Sequence, residues 1–566
     1  MAWYDEAVFY HIYPLGLSGA PKQNDYGEPV HRLNTLKPWI GHMKKLGFTA
    51  LYIGPLFQSV GHGYETTDYR LLDSRLGTND DLKDFVAACH EAGIKVIFDG
   101  VFNHTGRDFF AFQDIRANRE NSPYRDWYCN VNFWGNNEYN DGFSYDNWGG
   151  YNLLAKLNQR NPAVRDYICD VIRFWVSEFD VDGIRLDAAD VLDFEFMKAL
   201  RRTADEVKSD FWLMGEVIHG DYSRWANDNT LHSVTNYALH KALYSGHNDH
   251  NYFEIAHTVQ RTISMVPGNI RLYNFVDNHD VERISTKLLN KAHYLPVHIL
   301  LYTLPGIPSV YYGSEFGIEG RKERYSDDSL RPFLDLKEYS GEDQNNPCSL
   351  LIASLGRIHR QWKQDLVYGD YRQLFLTNQQ YAFARGSVIV AVNNSDSEAW
   401  MNVESGGSAS YVGLLSKRVL ECSSGRLEIS LPGCSGDIFV PETEEDRTGI
   451  SITATVPAQK QGEKTVEQAG QTFAETMPKS SSKPLQTEGT SAGKASGPMA
   501  EEAPEAQTPP ENIEIPDIPY DQMTVEQLQA VILSKMTKNG PVTDRMRRDV
   551  TDNIWHDSLV NWARSF

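Results

Sequence analysis

Three features that the sequence lacks limit what the protein can do. No uncharged apolar run is long enough to span a bilayer. The opening MAWYDEAVFY has neither the basic segment nor the apolar run of a secretory signal. Basic residues are also scarce, since 54 Lys and Arg against 76 Asp and Glu leave a net charge of −22. This balance argues against nucleic acid or an anionic membrane as partner, and favours a neutral or cationic substrate.

Cysteine is the next scarce residue type. The chain has six cysteines, and their spacing matches no metal-ligand motif. In a large chain that shows no export signal, we expect reduced thiols. The sequence therefore predicts a cytoplasmic protein.

Short β-branched or aromatic runs alternate with longer helical patterns from about residue 8 to residue 365. We count eight such strand–helix units, and their strands are near-continuous apolar runs, as expected for strands covered by helices. Eight units predict an α/β fold of the (β/α)8, or TIM barrel, type. The rival is a doubly wound open sheet, but no glycine-rich dinucleotide loop follows the first strand.

The pattern divides the 566 residues into four parts. Residues 1–365 are predicted to form the catalytic barrel, with an inserted subdomain at about 104–158. Short strands separated by turn residues predict a C-terminal antiparallel β-sandwich over 366–442. Residues 443–517 are poor in large apolar side chains and are predicted to be a disordered linker. Residues 518–566 are predicted to form a pair of helices. This pair either packs on the chain's own barrel or on a sister subunit, or it binds a partner protein.

Polar side chains are concentrated where the predicted barrel strands end. Because barrels of this type build their active sites at the carboxyl ends of their strands, these residues are the candidates for function. They are Tyr64, Asp99, His104, Arg185, Asp187, Glu216, His279 and Asp280.

Three of these candidates, Asp187, Glu216 and Asp280, are acidic groups expected at one mouth. Glycoside hydrolysis needs such a set, because one carboxylate must face the anomeric carbon while another group protonates the leaving oxygen. We expect Arg185 to lower the pKa of Asp187, and burial against apolar neighbours to raise that of Glu216. Taken alone, Arg185 and Asp187 would equally fit a structural ion pair.

Four stretches resemble the signature regions of the α-amylase superfamily, glycoside hydrolase family 13. They are DGVFNH, GIRLDAAD, GEV and FVDNHD, in the order and spacing of that family. GIPSVYYGSEFG at the eighth strand also resembles the family, and the likeness covers residues 1 to about 441. LAKLNQRNPAVRDY (154–167) resembles a fifth region of the neopullulanase and cyclomaltodextrinase subgroup, although Leu154 and Ala155 replace its usual Met and Pro.

The resemblance implies a role for each candidate. Asp187 would be the nucleophile, Glu216 the general acid and base, and Asp280 the third carboxylate, which binds sugar hydroxyls. His104 and His279 would bond the sugar at the cleavage site, Tyr64 would stack on it, Arg185 would orient the nucleophile, and Asp99 would support Arg185. Family members retain the anomeric configuration, so the two reacting carboxyls should lie about 5–5.5 Å apart.

The implied activity is hydrolysis of α-1,4 and in some cases α-1,6 bonds in maltodextrins or cyclodextrins. An α-glucanotransferase that uses the same intermediate, and a non-catalytic sugar-binding scaffold, are the alternatives. The chemistry needs no cofactor. A structural calcium is left unassigned, because Asp190 and Val191 replace a lysine and a metal-supporting histidine of many α-amylases. The oligomeric state is also open, because the chain lacks the N-terminal β-domain of the subgroup.

Other side chains near these motifs allow two interpretations. The aromatic residues of 127–151, which include Trp127, Trp134, Tyr145 and Trp148, could form a wall on which sugars stack, or could pack within the subdomain. His219 could touch a leaving-group sugar, although an ordinary loop histidine is the favoured reading.

Overall fold

The computed structural model describes residues 2–324, 326–339, 345–442, 523 and 525–539. Two compact units were found, Met1–Ser482 and Lys483–Phe566. Within the described residues, no helix combines the length and the apolar character needed to cross a membrane.

Eight parallel strands form the centre of the first unit. In chain order β1 to β8 are Phe9–Ile12, Ala50–Ile53, Lys95–Gly100, Gly183–Leu186, Trp212–Gly215, Ser233–Val234, Tyr273–Phe275 and Ile307–Tyr311. Neighbouring strands pair in the order β6-β5-β4-β3-β2-β1-β8-β7. A single parallel bridge between Thr235 and Tyr273 joins the two ends of this order and closes the barrel.

Most helices of the barrel are amphipathic, and several have recognisable ends. The exception is Tyr294–Thr303, which is buried along its whole length. The helices of at least ten residues, α1 to α8, are Lys37–Leu46, Asn79–Glu91, Pro162–Phe179, Phe194–Val207, Tyr237–Asn248, Tyr252–Met265, Tyr294–Thr303 and Pro347–Gln361. The side chain of Asn161 caps α3, whose first residue is a proline, and Asp193 caps α4. Gly47 ends α1 with a positive φ of 89°, which glycine adopts without strain.

The predicted count of eight strand–helix units is wrong in one place. Between Gly215 and Ser233 the chain forms only a short 3₁₀ turn, Tyr222–Arg224, so β5 has no α-helix of its own. Two helices, α5 and α6, follow β6 instead. This segment is instead held as a loop, in which Ala226 and Leu231 form a parallel bridge and the amide of Asn227 donates to Leu231 O at 3.1 Å.

The insertion after β3 forms a small irregular subdomain. It contains the helix Phe110–Asn118 and a three-stranded antiparallel sheet of His104–Thr105, Asn147–Trp148 and Tyr151–Lys156. His104 pairs with Lys156 in that sheet. This pairing fixes the start of the insertion beside the end of β3.

Eight antiparallel strands, β9 to β16, follow the barrel. They are Tyr371–Leu376, Gln380–Arg385, Val388–Asn393, Ala399–Glu404, Ser410–Gly413, Val419–Ser423, Arg426–Leu431 and Ser435–Pro441. A separate core, which includes Ile389, Met401 and Ile429, is buried between them. Arg385 ties this layer to the barrel by donating to the carbonyl of Thr303 across 2.9 Å.

The predicted fold class, a TIM barrel with an insertion after the third strand and an antiparallel domain at its end, is confirmed. The predicted linker, 443–517, lies outside the described residues. Of the predicted helical pair, Val525–Asn539 forms a helix, while the second helix lies outside the described residues.

Candidate active site

Arg185 is the centre of the site. It lies on β4, points into the barrel and is 3% exposed. One guanidinium nitrogen, Nη1, donates to Asp99 Oδ1 at 2.7 Å and to Asp187 Oδ1 at 3.0 Å. The other, Nη2, lies 2.7 Å from Glu216 Oε2. A single buried cation therefore contacts three of the predicted carboxylates.

Strand register explains why these side chains meet. Asp99 on β3 pairs with Arg185 on β4, since the two strands run parallel and in step. The next positions continue the ladder, because the amide of Asp187 donates to Gly100 O at 3.1 Å and that of Glu216 to Leu186 O at 2.9 Å. The two reacting carboxyls predicted from sequence thus emerge at the same end of adjacent strands.

The surroundings of Glu216 differ from the prediction. Burial against apolar neighbours was expected, but its carboxyl is surrounded by donors. Oε2 accepts from the backbone amide of Ala188 at 3.2 Å and faces Arg185, while Oε1 accepts from the hydroxyl of Tyr237 at 3.2 Å. The sequence motif GEV gives no sign of these partners, which come from other strands.

The pKa of Asp187 shifts upward overall, although Arg185 has the predicted lowering effect. Burial raises its pKa well above the usual range, and the negative charges of Glu216, Asp99 and Asp280 add to that effect. Arg185 acts in the expected direction and lowers the pKa, but it does not outweigh burial. The other carboxylates around Arg185 also oppose it, because their negative charges raise the pKa of Asp187.

Asp280 follows β7, and an arginine and an imidazole lie against its two carboxyl oxygens. Its Oδ1 accepts from Arg331 Nη2 at 2.9 Å, and its Oδ2 lies 3.0 Å from His279 Nε2. Burial raises the pKa of Asp280, but the charges of His279 and Arg331 outweigh burial and hold it well below the usual value. Arg331 also contacts Asp327, at 3.1 Å.

The predicted sugar-binding residues line the same mouth. The hydroxyl of Tyr64 donates to Asp99 Oδ2 at 3.1 Å and bonds His279, and its ring stacks on that imidazole with centroids 5.7 Å apart. His104 is buried, and burial lowers its pKa to about 3, so it is neutral. Its Nδ1 lies 3.2 Å from Asn103 Nδ2, while Nε2 has no hydrogen-bond partner among the described residues.

A family comparison identifies the barrel that carries this site. Residues 33–357, more than half of the chain, match the model of the alpha amylase catalytic domain. The chain belongs to the α-amylase family.

Individual members of that family extend over most of the chain. A cyclomaltodextrinase of Thermoanaerobacter pseudethanolicus is 31% identical over 430 residues, which are 70% of this chain and 71% of that protein. Neopullulanase 2 of Thermoactinomyces vulgaris is 29% identical over 77% of this chain and 78% of its own length. The solved structure of a debranching enzyme from Nostoc punctiforme superposes with a TM-score of 0.67 at 27% identity, covering 77% of this chain and 98% of the other. The predicted family and an α-glucan-acting glycoside hydrolase are thereby confirmed.

Three residues of this α-amylase family site were missed from the sequence. Tyr237 bonds Glu216, Arg331 bonds Asp280, and Tyr52 donates to Asp99 Oδ2 at 2.9 Å. Tyr52 could have been found, because it lies in the strand run TALYIGPL at a barrel position. Tyr237 begins α5 and Arg331 lies in a loop, both outside the four signature stretches, and no spacing rule indicates them.

The remaining candidates are placed as follows. Among the described residues, no group of three or more His, Cys, Asp or Glu could hold a metal ion, and the unassigned calcium stays a prediction. Trp127 and Tyr145 are buried within the subdomain, as in the packing interpretation, whereas Trp134 is 98% exposed. His219 is exposed just beyond Glu216.

Proposed function

We propose that this α-amylase family member is a cytoplasmic enzyme that cleaves α-1,4 bonds, and α-1,6 bonds where present, in short linear, cyclic or branched maltodextrins with retention of configuration. The observation that carries the proposal is the contact of one guanidinium, Arg185, with both Asp187 and Glu216. Six unpaired cysteines support a reducing compartment.

In the first step Asp187 attacks the anomeric carbon while Glu216 protonates the departing oxygen, which gives a covalent glycosyl ester and a free sugar end. The attacking carboxyl must be ionised. Arg185 is the neighbour that favours the ionised form of Asp187, since it lowers that group's pKa against burial.

In the second step Glu216, now a carboxylate, takes a proton from water, and the resulting hydroxide displaces Asp187 from the sugar. Asp280 stays ionised through both steps, because His279 and Arg331 hold its pKa low. An ionised carboxylate at that place can accept hydrogen bonds from sugar hydroxyls and can favour positive charge on the distorted ring.

The test is a product profile on maltotriose, cyclodextrin, pullulan and starch, with the anomeric configuration of the first product read by NMR. We expect α-configured short sugars, and faster cleavage of maltotriose and cyclodextrin than of starch. Asp187→Asn should abolish turnover while leaving the circular-dichroism spectrum unchanged. Early accumulation of oligomers longer than maltotriose would instead identify a glucanotransferase, and β-configured products would exclude the double displacement.

A further inference from the structure

Tyr237 holds the oxygen of Glu216 that Arg185 does not reach. It is the first residue of α5, and its hydroxyl lies 3.2 Å from Glu216 Oε1. Its ring packs edge-on against Phe275 of β7, with centroids 4.9 Å apart. The position of the hydroxyl is therefore set by the barrel wall.

Asn278 determines the direction in which that hydroxyl points. Its Nδ2 donates to the oxygen of Tyr237 at 3.2 Å. Its Oδ1 is occupied as an acceptor for the backbone amides of Asp280 at 2.8 Å and Val281 at 3.0 Å, which fixes which end of the amide faces Tyr237. Since an amide nitrogen can only donate, the hydrogen of the tyrosine hydroxyl is left for Glu216.

The protonation state of the tyrosine supports the same direction. Burial raises the pKa of Tyr237 well above its usual value, and the negative charges of Glu216 and Asp280 raise it further. The hydroxyl therefore keeps its hydrogen at every working pH and serves as a donor. The three groups around Glu216, namely the Tyr237 hydroxyl, the Ala188 amide and the Arg185 guanidinium, are all donors. None of them can therefore accept the proton that Glu216 must deliver.

We propose that Tyr237, oriented by Asn278, is a positioning residue that holds the Glu216 carboxyl for proton transfer to and from the glycosidic oxygen. The inference rests on the proposed function of Glu216. With Oε1 held by Tyr237 and Oε2 by Ala188 and Arg185, the carboxyl cannot rotate about its last bond. Without the hydroxyl it can turn away from the leaving oxygen, and general acid and base catalysis are weakened while nucleophilic attack by Asp187 is not.

The experiment compares substrates that differ in their need for Glu216. Maltotriose needs a proton for its leaving group and a base for the attacking water. α-Maltosyl fluoride has a leaving group that needs little acid help, and azide, supplied as the second nucleophile, needs no base. The variant is Tyr237→Phe, and the matched control is Tyr273→Phe, since Tyr273 is buried in the same barrel but bonds Ser309 at 2.6 Å and no carboxylate.

For Tyr237→Phe we expect kcat on maltotriose to fall about 10- to 100-fold with KM little changed, on the scale of a partial loss of general acid catalysis. The rate on α-maltosyl fluoride with azide should stay within about twofold of the parent, because that route bypasses Glu216. The control Tyr273→Phe should show no difference between the two substrates. Equal losses on both substrates with Tyr237→Phe, or no loss on maltotriose, would overturn the role of Tyr237.

A second variant tests the direction of the hydrogen bond. Asn278→Asp keeps the acceptor for the two backbone amides but replaces the donor to Tyr237 with an oxygen, so the tyrosine hydrogen should turn away from Glu216. We expect the same selective loss on maltotriose, with an unchanged thermal midpoint. A uniform loss would contradict the proposed orientation. A parent enzyme inactive on both substrates would overturn the proposed function itself, whereas an active parent with uniform losses overturns only the role of Tyr237.

Discussion

Arg185 Nη1 lies 2.7 Å from Asp99 Oδ1, and both side chains are almost completely buried inside the barrel. Asp99 has further donors, the hydroxyls of Tyr52 and Tyr64, so its charge is well compensated. Among the described residues, the hydrogen-bond and ion-pair partners of the two terminal nitrogens of Arg185 are all carboxylates. Arg185 thus holds the carboxylates of the site in place, and its positive charge stabilises their buried negative charge.

The first prediction concerns stability. Arg185→Met removes this cation, and the free energy of unfolding should fall by about 3–5 kcal/mol at neutral pH, because buried carboxylates lose their partner. Urea denaturation measures the change. The matched control is Lys22→Met, whose ion pair with Asp328 is exposed and should contribute about 0–1 kcal/mol. Equal losses in the two variants would contradict the buried role of Arg185.

The second prediction concerns the acid and base. Glu216→Gln keeps the shape of the side chain but cannot transfer a proton, so kcat on maltotriose should fall by roughly 10²- to 10⁴-fold. Initial rates measure the change, and the thermal midpoint should move little. Glu195→Gln, at an exposed glutamate near the start of α4, should retain full activity. A fully active Glu216→Gln would falsify the assignment.

The third prediction concerns Asp190, two residues beyond Ala188. Burial, followed by the charge of Glu216, raises its pKa from 3.8 to about 6. Since the folded state then binds the proton more tightly than the unfolded state, this group makes stability fall as pH rises from about 4 to about 6. Asp190→Asn should therefore be more stable than the parent above pH 6, by on the order of 1–3 kcal/mol.

The two proteins should converge in stability near pH 3, where Asp190 is protonated in both the folded and the unfolded state. Chemical denaturation at a series of pH values checks this. Asp228→Asn, which alters an exposed carboxylate between β5 and β6, should leave the pH dependence unchanged. A stability difference that does not vary with pH would count against the raised pKa.

The fourth prediction concerns Arg331 and the acid limb of the pH profile. Arg331 is one of the groups that hold the pKa of Asp280 low. In Arg331→Gln that pKa should rise, so Asp280 takes up a proton at a higher pH and activity is lost earlier on acidification. The pH dependence of kcat/KM on maltotriose measures the shift. Arg321→Gln, at a largely exposed arginine, should leave the acid limb in place.

Much of the site could be predicted because of how parallel strands end. Asp99, Arg185 and Glu216 each stand at or just beyond the end of an apolar run, and the carboxyl ends of barrel strands share one face. The register of the parallel strands then brings these residues together, so no knowledge of the loops is needed to predict that they meet. The three carboxylates and Arg185 were therefore visible as a group in the sequence.

The rest of the site depends on contacts between residues that are far apart in the sequence, and no motif indicates them. Arg331 lies 51 residues from Asp280 along the chain, and Tyr237 lies 21 residues from Glu216, each on an irregular loop or helix start. The overall upward shift of the Asp187 pKa could not be seen in the sequence for a related reason. It is a balance between burial and several charges, and a motif shows only the nearest of those charges.

The closure of the barrel has a consequence for its motion. Among the residues that the structure describes, the bridge between Thr235 and Tyr273 is the one backbone pairing across that seam, whereas β4 and β5 share a full four-residue ladder. Thermal opening of the barrel should therefore begin at this seam, and its amide hydrogens should exchange with solvent before those of the other strands. The first breathing motion of the enzyme would then occur next to Tyr237, while the strands that carry Arg185 and Asp187 stay closed.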